Sequence, residues 1–116
     1  MEKRQHDRIA LKDIGWHAEL IDQVAGNKLG EVVNLSPSGL MLITANPVEI
    51  ENLYQVECVA TGPDEQSGRF TAGVIVLWRT EASQQDTYWA GMQIIDIDAE
   101  SQARLLEVSS AMAADS

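Results

Sequence analysis

Hydrophobic and polar side chains alternate with a period of two along most of the chain, which is the pattern of β-strands that bury one face. In the first such segment, Ile14, Trp16, Ala18 and Leu20 are each separated by one polar or small residue. Turn-forming residues such as Gly, Pro and Asn divide the rest of this region into further strand-like segments. The predicted strands cover 14–20, 28–35, 40–44, 54–60, 69–79 and 87–95.

The period changes near the end of the sequence, where apolar residues follow a helical spacing. Leu105, Val108 and Met112 lie at positions i, i+3 and i+7, which share one face of a helix. Asp98 is the predicted N-cap, because an aspartate side chain can accept a hydrogen bond from the first helical turn. We therefore predict a helix over 98–112, with fraying of the tail from Ala111 onward.

Six short strands in a small domain favour a closed or nearly closed barrel, because closure removes exposed strand edges. The predicted fold class is all-β: a six-stranded antiparallel barrel with a C-terminal α-helix. The helix is expected to bury its apolar face against an open side or end of that barrel.

Length and composition indicate one globular domain. A chain of 116 residues matches the size of a single domain, and a hydrophobic content of 45% argues against a disordered chain. The predicted organisation of 1–116 is a flexible basic arm at 1–12, a barrel at 13–97 and the helix at 98–112. Within the arm, four basic side chains stand against two acidic ones.

The first residues are too polar for a secretory signal, and the longest apolar run, 74–78, is far shorter than the roughly 20 residues that span a bilayer. Cys58 is the single cysteine, which excludes internal disulfides and multi-cysteine metal sites and fits a reducing compartment. The expectation is a cytoplasmic protein without membrane insertion.

The excess of acidic residues argues against some classes of binding partner. The formal net charge is −10, and after residue 12 only four of the eight basic residues remain. Such a body disfavours non-specific binding to nucleic acid or to an anionic membrane. Two interpretations of the arm stay open: a solvated terminus, or a segment that engages one compact anion.

Two short motifs carry candidate chemistry. Arg4 and Arg8 form an Arg-x-x-x-Arg motif in the arm, and guanidinium groups suit phosphate oxygens and the O6/N7 edge of guanine. Asn34, Ser36 and Gly39 form an Asn-x-Ser-x-x-Gly motif between the second and third predicted strands. The amide and hydroxyl can hydrogen-bond a ligand, and the glycine permits a positive φ or a close approach to the backbone. Taken alone, the second motif is also ordinary turn chemistry.

Together, the two motifs resemble those of the PilZ family, whose members bind the bacterial second messenger cyclic di-GMP. The resemblance extends over about residues 2–110, including the paired late strands and the C-terminal helix. It implies that Arg4 and Arg8 grip the phosphates and guanine edges of the ligand. It further implies that Asn34 and Ser36 hydrogen-bond a guanine and that Gly39 keeps the pocket open.

Three further residues are assigned to the ligand site by the same resemblance. Trp78 lies where many members carry a tryptophan that faces the ligand, although a packing role is equally compatible with a strand aromatic. Arg79 reaches either the ligand or solvent. Lys3 lies where some members have another arginine, and this cation favours an intercalated pair of ligand molecules. Gln5 departs from the more arginine-rich arms of some relatives, so binding of a single molecule stays open.

No arrangement in the sequence indicates an enzyme, a metal site or a cofactor. His6 lies in the arm and His17 on the predicted outward face of the first strand, without a nucleophile beside either. Cys58 is expected to be a small core residue. We therefore expect no catalytic residues and no metal ligands.

The leading hypothesis is a cyclic di-GMP receptor whose arm orders upon binding and relays the signal to an unidentified effector protein. The alternative is a ligand-blind PilZ-like module for protein–protein contact, for example in type IV pilus function. A third hypothesis, an OB-like barrel for nucleic acid, is disfavoured by the acidic body and by the single phenylalanine.

Overall fold

Six antiparallel strands close into a barrel in the computed structural model, which describes residues 10–45 and 48–115. The strands are β1 (His17–Asp22), β2 (Asn27–Ser36), β3 (Gly39–Thr44), β4 (Leu53–Thr61), β5 (Ser67–Glu81) and β6 (Tyr88–Asp96). They follow the order β1-β2-β3-β6-β5-β4 around the barrel, and a single α-helix of the described residues, α1 (Ala99–Ala114), follows β6. The predicted fold class is confirmed.

The apolar side chains that alternate along the sequence point into the barrel, and the residues between them lie on its surface. On β4, Val56, Cys58 and Ala60 are buried while the residues between them are more exposed. Leu20, Leu42 and the other inward side chains join these residues in one hydrophobic core. Burial of apolar area from every strand is the main stabilising contribution to such a domain.

The segment before β1 differs from the prediction. Residues Leu11–Ile14 form a 3-10 helix that ends at Gly15, whose φ of 79° is left-handed, and the strand begins only at His17. Gly15 donates its backbone N–H to carbonyls of the preceding turn and so terminates the helix. Leu11 is buried in the core, so residues 10–12, which the sequence analysis assigned to the arm, belong to the folded domain.

Helix α1 packs along β5 through the face that its sequence predicts. Leu105, Val108 and Met112 are buried in the common core. Gly68 of β5 allows this contact, because a Cβ on that glycine would overlap the Val108 side chain. The helix is thereby fixed to the first half of β5, away from the β2–β3 hairpin.

The C-terminal end of α1 also differs from the prediction, because the helix continues to Ala114 instead of fraying from Ala111. The carboxylate of Asp115 accepts hydrogen bonds from Trp16 Nε1 at 2.8 Å and from Gln66 Nε2 at 3.2 Å. These two donors come from distant parts of the chain and hold the end of the helix against the barrel.

Asp98 caps α1 as predicted, since its Oδ1 accepts a hydrogen bond from the Ser101 backbone N–H at 2.8 Å. Replacing Asp98 by alanine is expected to lower the free energy of unfolding by about 1 kcal/mol, because one helix-terminal N–H loses its partner. Urea unfolding followed by circular dichroism measures the change. The Asp98→Asn variant, which retains an acceptor, is expected to keep most of the stability; an equal loss in both variants would contradict the capping role.

Candidate functional site

The side of the barrel sheet that points away from the core forms the candidate site, and we call this surface of β2, β3, β6 and β5 the outer face. Directly paired residues on neighbouring strands point to the same side of a sheet. Neighbours of Met41 and of Gly91 along their strands are buried in the core, so these two residues point outward. Two adjacent rows then cross the outer face, Asn34–Met41–Gly91–Trp78 and Ser36–Gly39–Gln93–Ile75.

Asn34 reaches the outer face because of a β-bulge. Val32 pairs with Leu42 toward the core, and the register then shifts so that Asn34 pairs with Met41 on the outside. Without the extra residue Val33, Asn34 would share the inward side with Val32. Its amide has no hydrogen-bond partner among the described residues, so both its donor and its acceptor are available to a ligand.

Trp78 reaches the same row through a second bulge, on β5. Val76 pairs with Met92 toward the core, and after the extra residue Leu77 the register places Trp78 opposite Gly91 on the outside. The indole lies over Gly91, where a Cβ would overlap Nε1 of the tryptophan ring. Trp78 nevertheless keeps 39% of its surface exposed, so it packs against β6 and still offers an aromatic surface.

Ser36 and Gly39 form the two ends of the tight β2–β3 hairpin. Ser36 Oγ donates to the carbonyl of Gly39 at 3.3 Å, and it accepts from the Ser38 backbone N–H at 3.4 Å. A third contact joins the Ser36 Oγ to the Ser38 Oγ at 3.3 Å. All three distances are long, so the hydroxyl is weakly engaged and can rotate toward another partner.

Gly39 does not adopt the positive φ that its motif permits; among the glycines of the described residues, only Gly15 and Gly26 have a positive φ. Its role is steric, because a Cβ would overlap the backbone carbonyl oxygen of Met92 on β6. The close approach that this glycine permits is therefore that of a neighbouring strand, with the hairpin held against β6 by the Ile94 N–H to Ser38 carbonyl bond of 2.9 Å.

Arg79, for which the sequence allows a contact with the ligand or with solvent, does not point to the outer face. It pairs with Ala90, which is buried in the core, and so points to the opposite side of β5 from Trp78. Its Nη1 donates to the carbonyl of Val48 at 3.0 Å, and its guanidinium lies 5.7 Å from the ring centre of Tyr88. Arg79 therefore fastens the segment before β4 to the barrel.

Lys3, Arg4 and Arg8 lie outside the described residues, as does His6. The described chain begins at Ala10, which lines a cavity of about 280 Å³ together with Val33, Ile43 and Trp89. Ile43 and Trp89 are direct partners on β3 and β6, two residues along from Met41 and Gly91. The arm thus joins the domain at the edge of the outer face.

Burial raises the pKa of the Cys58 thiol to about 12, with a smaller contribution from the charge of Glu57. A thiol that stays protonated at neutral pH is a poor nucleophile. His17 is exposed as predicted and lies 3.3 Å from the Glu19 carboxylate, and together with Lys28 it lowers the pKa of Glu19. The described residues contain no group of three or more His, Cys, Asp or Glu that could hold a metal ion.

Within 10–45 and 48–115, no helix is long and apolar enough to cross a membrane. The outer face offers hydrogen-bonding side chains and an aromatic ring on one surface of the barrel.

Comparison with known proteins identifies the class of this domain. The PilZ domain model matches residues 2–110, and the chain therefore belongs to the PilZ family, whose domains are binding and adaptor modules. Among solved structures, the chain is similar to the Bacillus subtilis inhibitor of motility (MotI/DgrA), with a TM-score of 0.59 and 12% sequence identity. The similarity covers 86% of this chain and 47% of that protein, so this chain spans about half its length. No curated protein sequence matches the chain.

Proposed function

We propose that this PilZ domain binds cyclic di-GMP on the outer face and relays its presence to a protein partner. The observation that carries the proposal is the pair of bulges that turn Asn34 and Trp78 onto one row of the surface. Two separate β-bulges place side chains in the same row of the surface. Because β-bulges commonly redirect side chains at functional positions, this arrangement indicates a binding site. Membership of the PilZ family supports the identity of the ligand.

The outer face offers complementary groups for a guanine base. The amide of Asn34 presents a donor and an acceptor, and the weakly engaged hydroxyl of Ser36 lies two residues farther along β2. Trp78 presents an aromatic surface in the same row as Asn34, on which a purine can stack. Gly39 contributes indirectly, by letting the hairpin that carries Ser36 approach β6.

The arm supplies the positive charge that the outer face lacks. Arg8 precedes Ala10 by two residues in the sequence, and a chain extends by at most about 3.6 Å per residue, which gives a reach of about 7 Å from Ala10. Arg4 has a reach of about 22 Å from the same point. In this proposal both arginines bind the phosphates of a ligand held over Asn34, with Lys3 as a further cation at the rim.

Ligand binding is proposed to order the arm across the barrel. Fixing each residue costs on the order of 1–2 kcal/mol of backbone entropy, which a segment with few apolar side chains does not recover by itself. Charge-assisted hydrogen bonds, at roughly 1.5–3 kcal/mol each, offset that cost when the doubly anionic ligand is present. The surface presented to a partner then changes with ligand occupancy.

A calorimetric titration of the full chain with cyclic di-GMP tests the proposal. We expect saturable binding of cyclic di-GMP, much weaker binding of cyclic di-AMP, which has the same phosphate ring with a different base, and a stoichiometry of one or two molecules. An intercalated pair would agree with the role proposed for Lys3. Absence of binding would contradict the proposal and favour the ligand-blind interaction module.

A further inference from the structure

An apolar patch adjoins the proposed ligand site on the outer face; it consists of Leu53, Ile75, Leu77 and Trp78. Leu53 and Ile75 are direct partners on β4 and β5, and Leu77 is the extra residue of the β5 bulge. Leu53 is 66% exposed and Leu77 is 52% exposed. Single exposed apolar residues are common on protein surfaces, but a contiguous group with polar surroundings is typical of an interaction site.

The patch is continuous with the proposed ligand site along both rows of the outer face. Ile75 lies in the row that ends at the hairpin residues Ser36 and Gly39, and Trp78 lies in the row that ends at Asn34. A protein that covers the patch therefore meets the edge of any ligand bound over Asn34.

Acidic side chains flank the patch at both ends. Glu51 donates its backbone N–H to the carbonyl of Val76 at 2.8 Å, which places it beside Leu53 and Leu77. At the other end, Asp96 pairs with Gly73, two residues before Ile75 on β5. Arg79, the nearest arginine in sequence, points to the opposite side of β5. The rim of the patch is therefore negative.

The backbone of Glu51 adopts a left-handed conformation at the rim of the patch. Asn52 donates its N–H to the carbonyl of Glu49, which closes a turn, and Glu51 occupies the third position of that turn with a φ of 74°. Glycine is the residue favoured at such a position. A glutamate there keeps a carboxylate at the rim in spite of an unfavourable backbone conformation.

We propose that the patch docks a segment of a partner protein that is basic and carries apolar anchor residues. Apolar anchors would cover Leu53 and Leu77, and lysine or arginine side chains would pair with Glu51 and Asp96. A second copy of this chain fits less well, because two acidic rims on chains of net charge −10 would face each other. The proposed function requires a contact with a partner protein, and the patch would supply that contact. In that respect this inference rests on the proposed function.

Nuclear magnetic resonance of the isotope-labelled full chain tests the docking surface with three synthetic peptides of equal length. The first combines lysine with leucine and phenylalanine, the second replaces its lysines by glutamate, and the third replaces its apolar residues by serine. We expect only the first peptide to shift the backbone amide signals of 51–53 and 75–78. Comparable binding of the acidic peptide, shifts confined to other surfaces, or no shifts at all would overturn the proposal.

Matched variants sharpen this experiment. The double variant Leu53→Ser/Leu77→Ser is expected to weaken binding of the first peptide by at least about tenfold, because it removes the exposed apolar area. Val24→Ser alters an apolar side chain that is 85% exposed at the β1–β2 turn, and it should leave binding unchanged. Equal weakening by both variants, or a concentration-dependent dimer that only the double variant abolishes, would refute the proposed partner.

Titration of the same proteins with cyclic di-GMP separates the two proposals. If the first peptide binds the patch while cyclic di-GMP does not bind the chain, the docking surface stands and the proposed function fails. If cyclic di-GMP binds but no peptide shifts the backbone amide signals of the patch, the proposed function stands and the docking surface fails.

Discussion

Replacing Arg8 by alanine is expected to lower the affinity for cyclic di-GMP at least about 100-fold. The guanidinium can make two charge-assisted hydrogen bonds to a phosphate or a guanine edge, at roughly 1.5–3 kcal/mol each. A total loss of about 3 kcal/mol corresponds to more than 100-fold in the dissociation constant. Isothermal titration calorimetry of the variant and the wild type measures this change, and circular dichroism checks that the fold is retained.

Arg104 provides the matched control for Arg8. Its guanidinium pairs with Glu100 at 2.8 Å on the surface of α1, and this helix packs on the half of β5 away from the hairpin. The Arg104→Ala variant removes the same charge from the chain but is expected to bind cyclic di-GMP with nearly wild-type affinity. Wild-type affinity in the Arg8 variant, or equal losses in both, would show that the arm does not hold the ligand.

Replacing Gly39 by alanine is expected to lower the free energy of unfolding by about 1–3 kcal/mol. The added Cβ would overlap the carbonyl oxygen of Met92, and that neighbour is backbone, which cannot rotate away. The β2–β3 hairpin must then separate from β6, and the Ile94 to Ser38 hydrogen bond weakens. Urea denaturation measures the loss of stability.

The same variant is also expected to weaken binding of cyclic di-GMP, because the displaced hairpin carries Ser36. Gly73→Ala is the control on the same face: its Cβ would lie 3.2 Å from the Asp96 Cβ and 3.5 Å from the Oε1 of the flexible Gln55 side chain, so it needs only a small shift of its neighbours instead of the overlap that Gly39→Ala creates. Its loss of stability should be smaller. If the two variants lose equal stability, or if Gly39→Ala binds as well as wild type, the steric role assigned to Gly39 is wrong.

Local patterns were sufficient to predict the six strands and the C-terminal helix. Strand alternation depends on which side chains are apolar, so Val56, Cys58 and Ala60 could be assigned to the interior before any strand was paired. The spacing of Leu105, Val108 and Met112 identified the buried face of α1 in the same way, and Asp98 was recognised because capping involves only the next turn.

The predictions failed where a distant residue decides the outcome. The end of α1 is held by Trp16, which is 99 positions away from Asp115 in the sequence, so the predicted fraying could not take this contact into account. For Arg79 the sequence left open a contact with the ligand or with solvent, and only the strand register shows that its side chain points to the opposite side of β5 from Trp78.

The sequence by itself determined the fold class, the inward-facing residues of strands such as β4 and of the helix, and the motif residues of a PilZ domain, because each depends on residue type and spacing along the chain. Only the tertiary structure decided which side chains share the outer face. Asn34 and Trp78 lie in one row because β2 and β5 each carry one extra residue relative to the neighbouring strand. The register between strands is a property of their pairing. The apolar patch beside this row likewise exists only once β4 pairs with β5, and its acidic rim also requires the pairing of β5 with β6, which brings Asp96 beside Gly73.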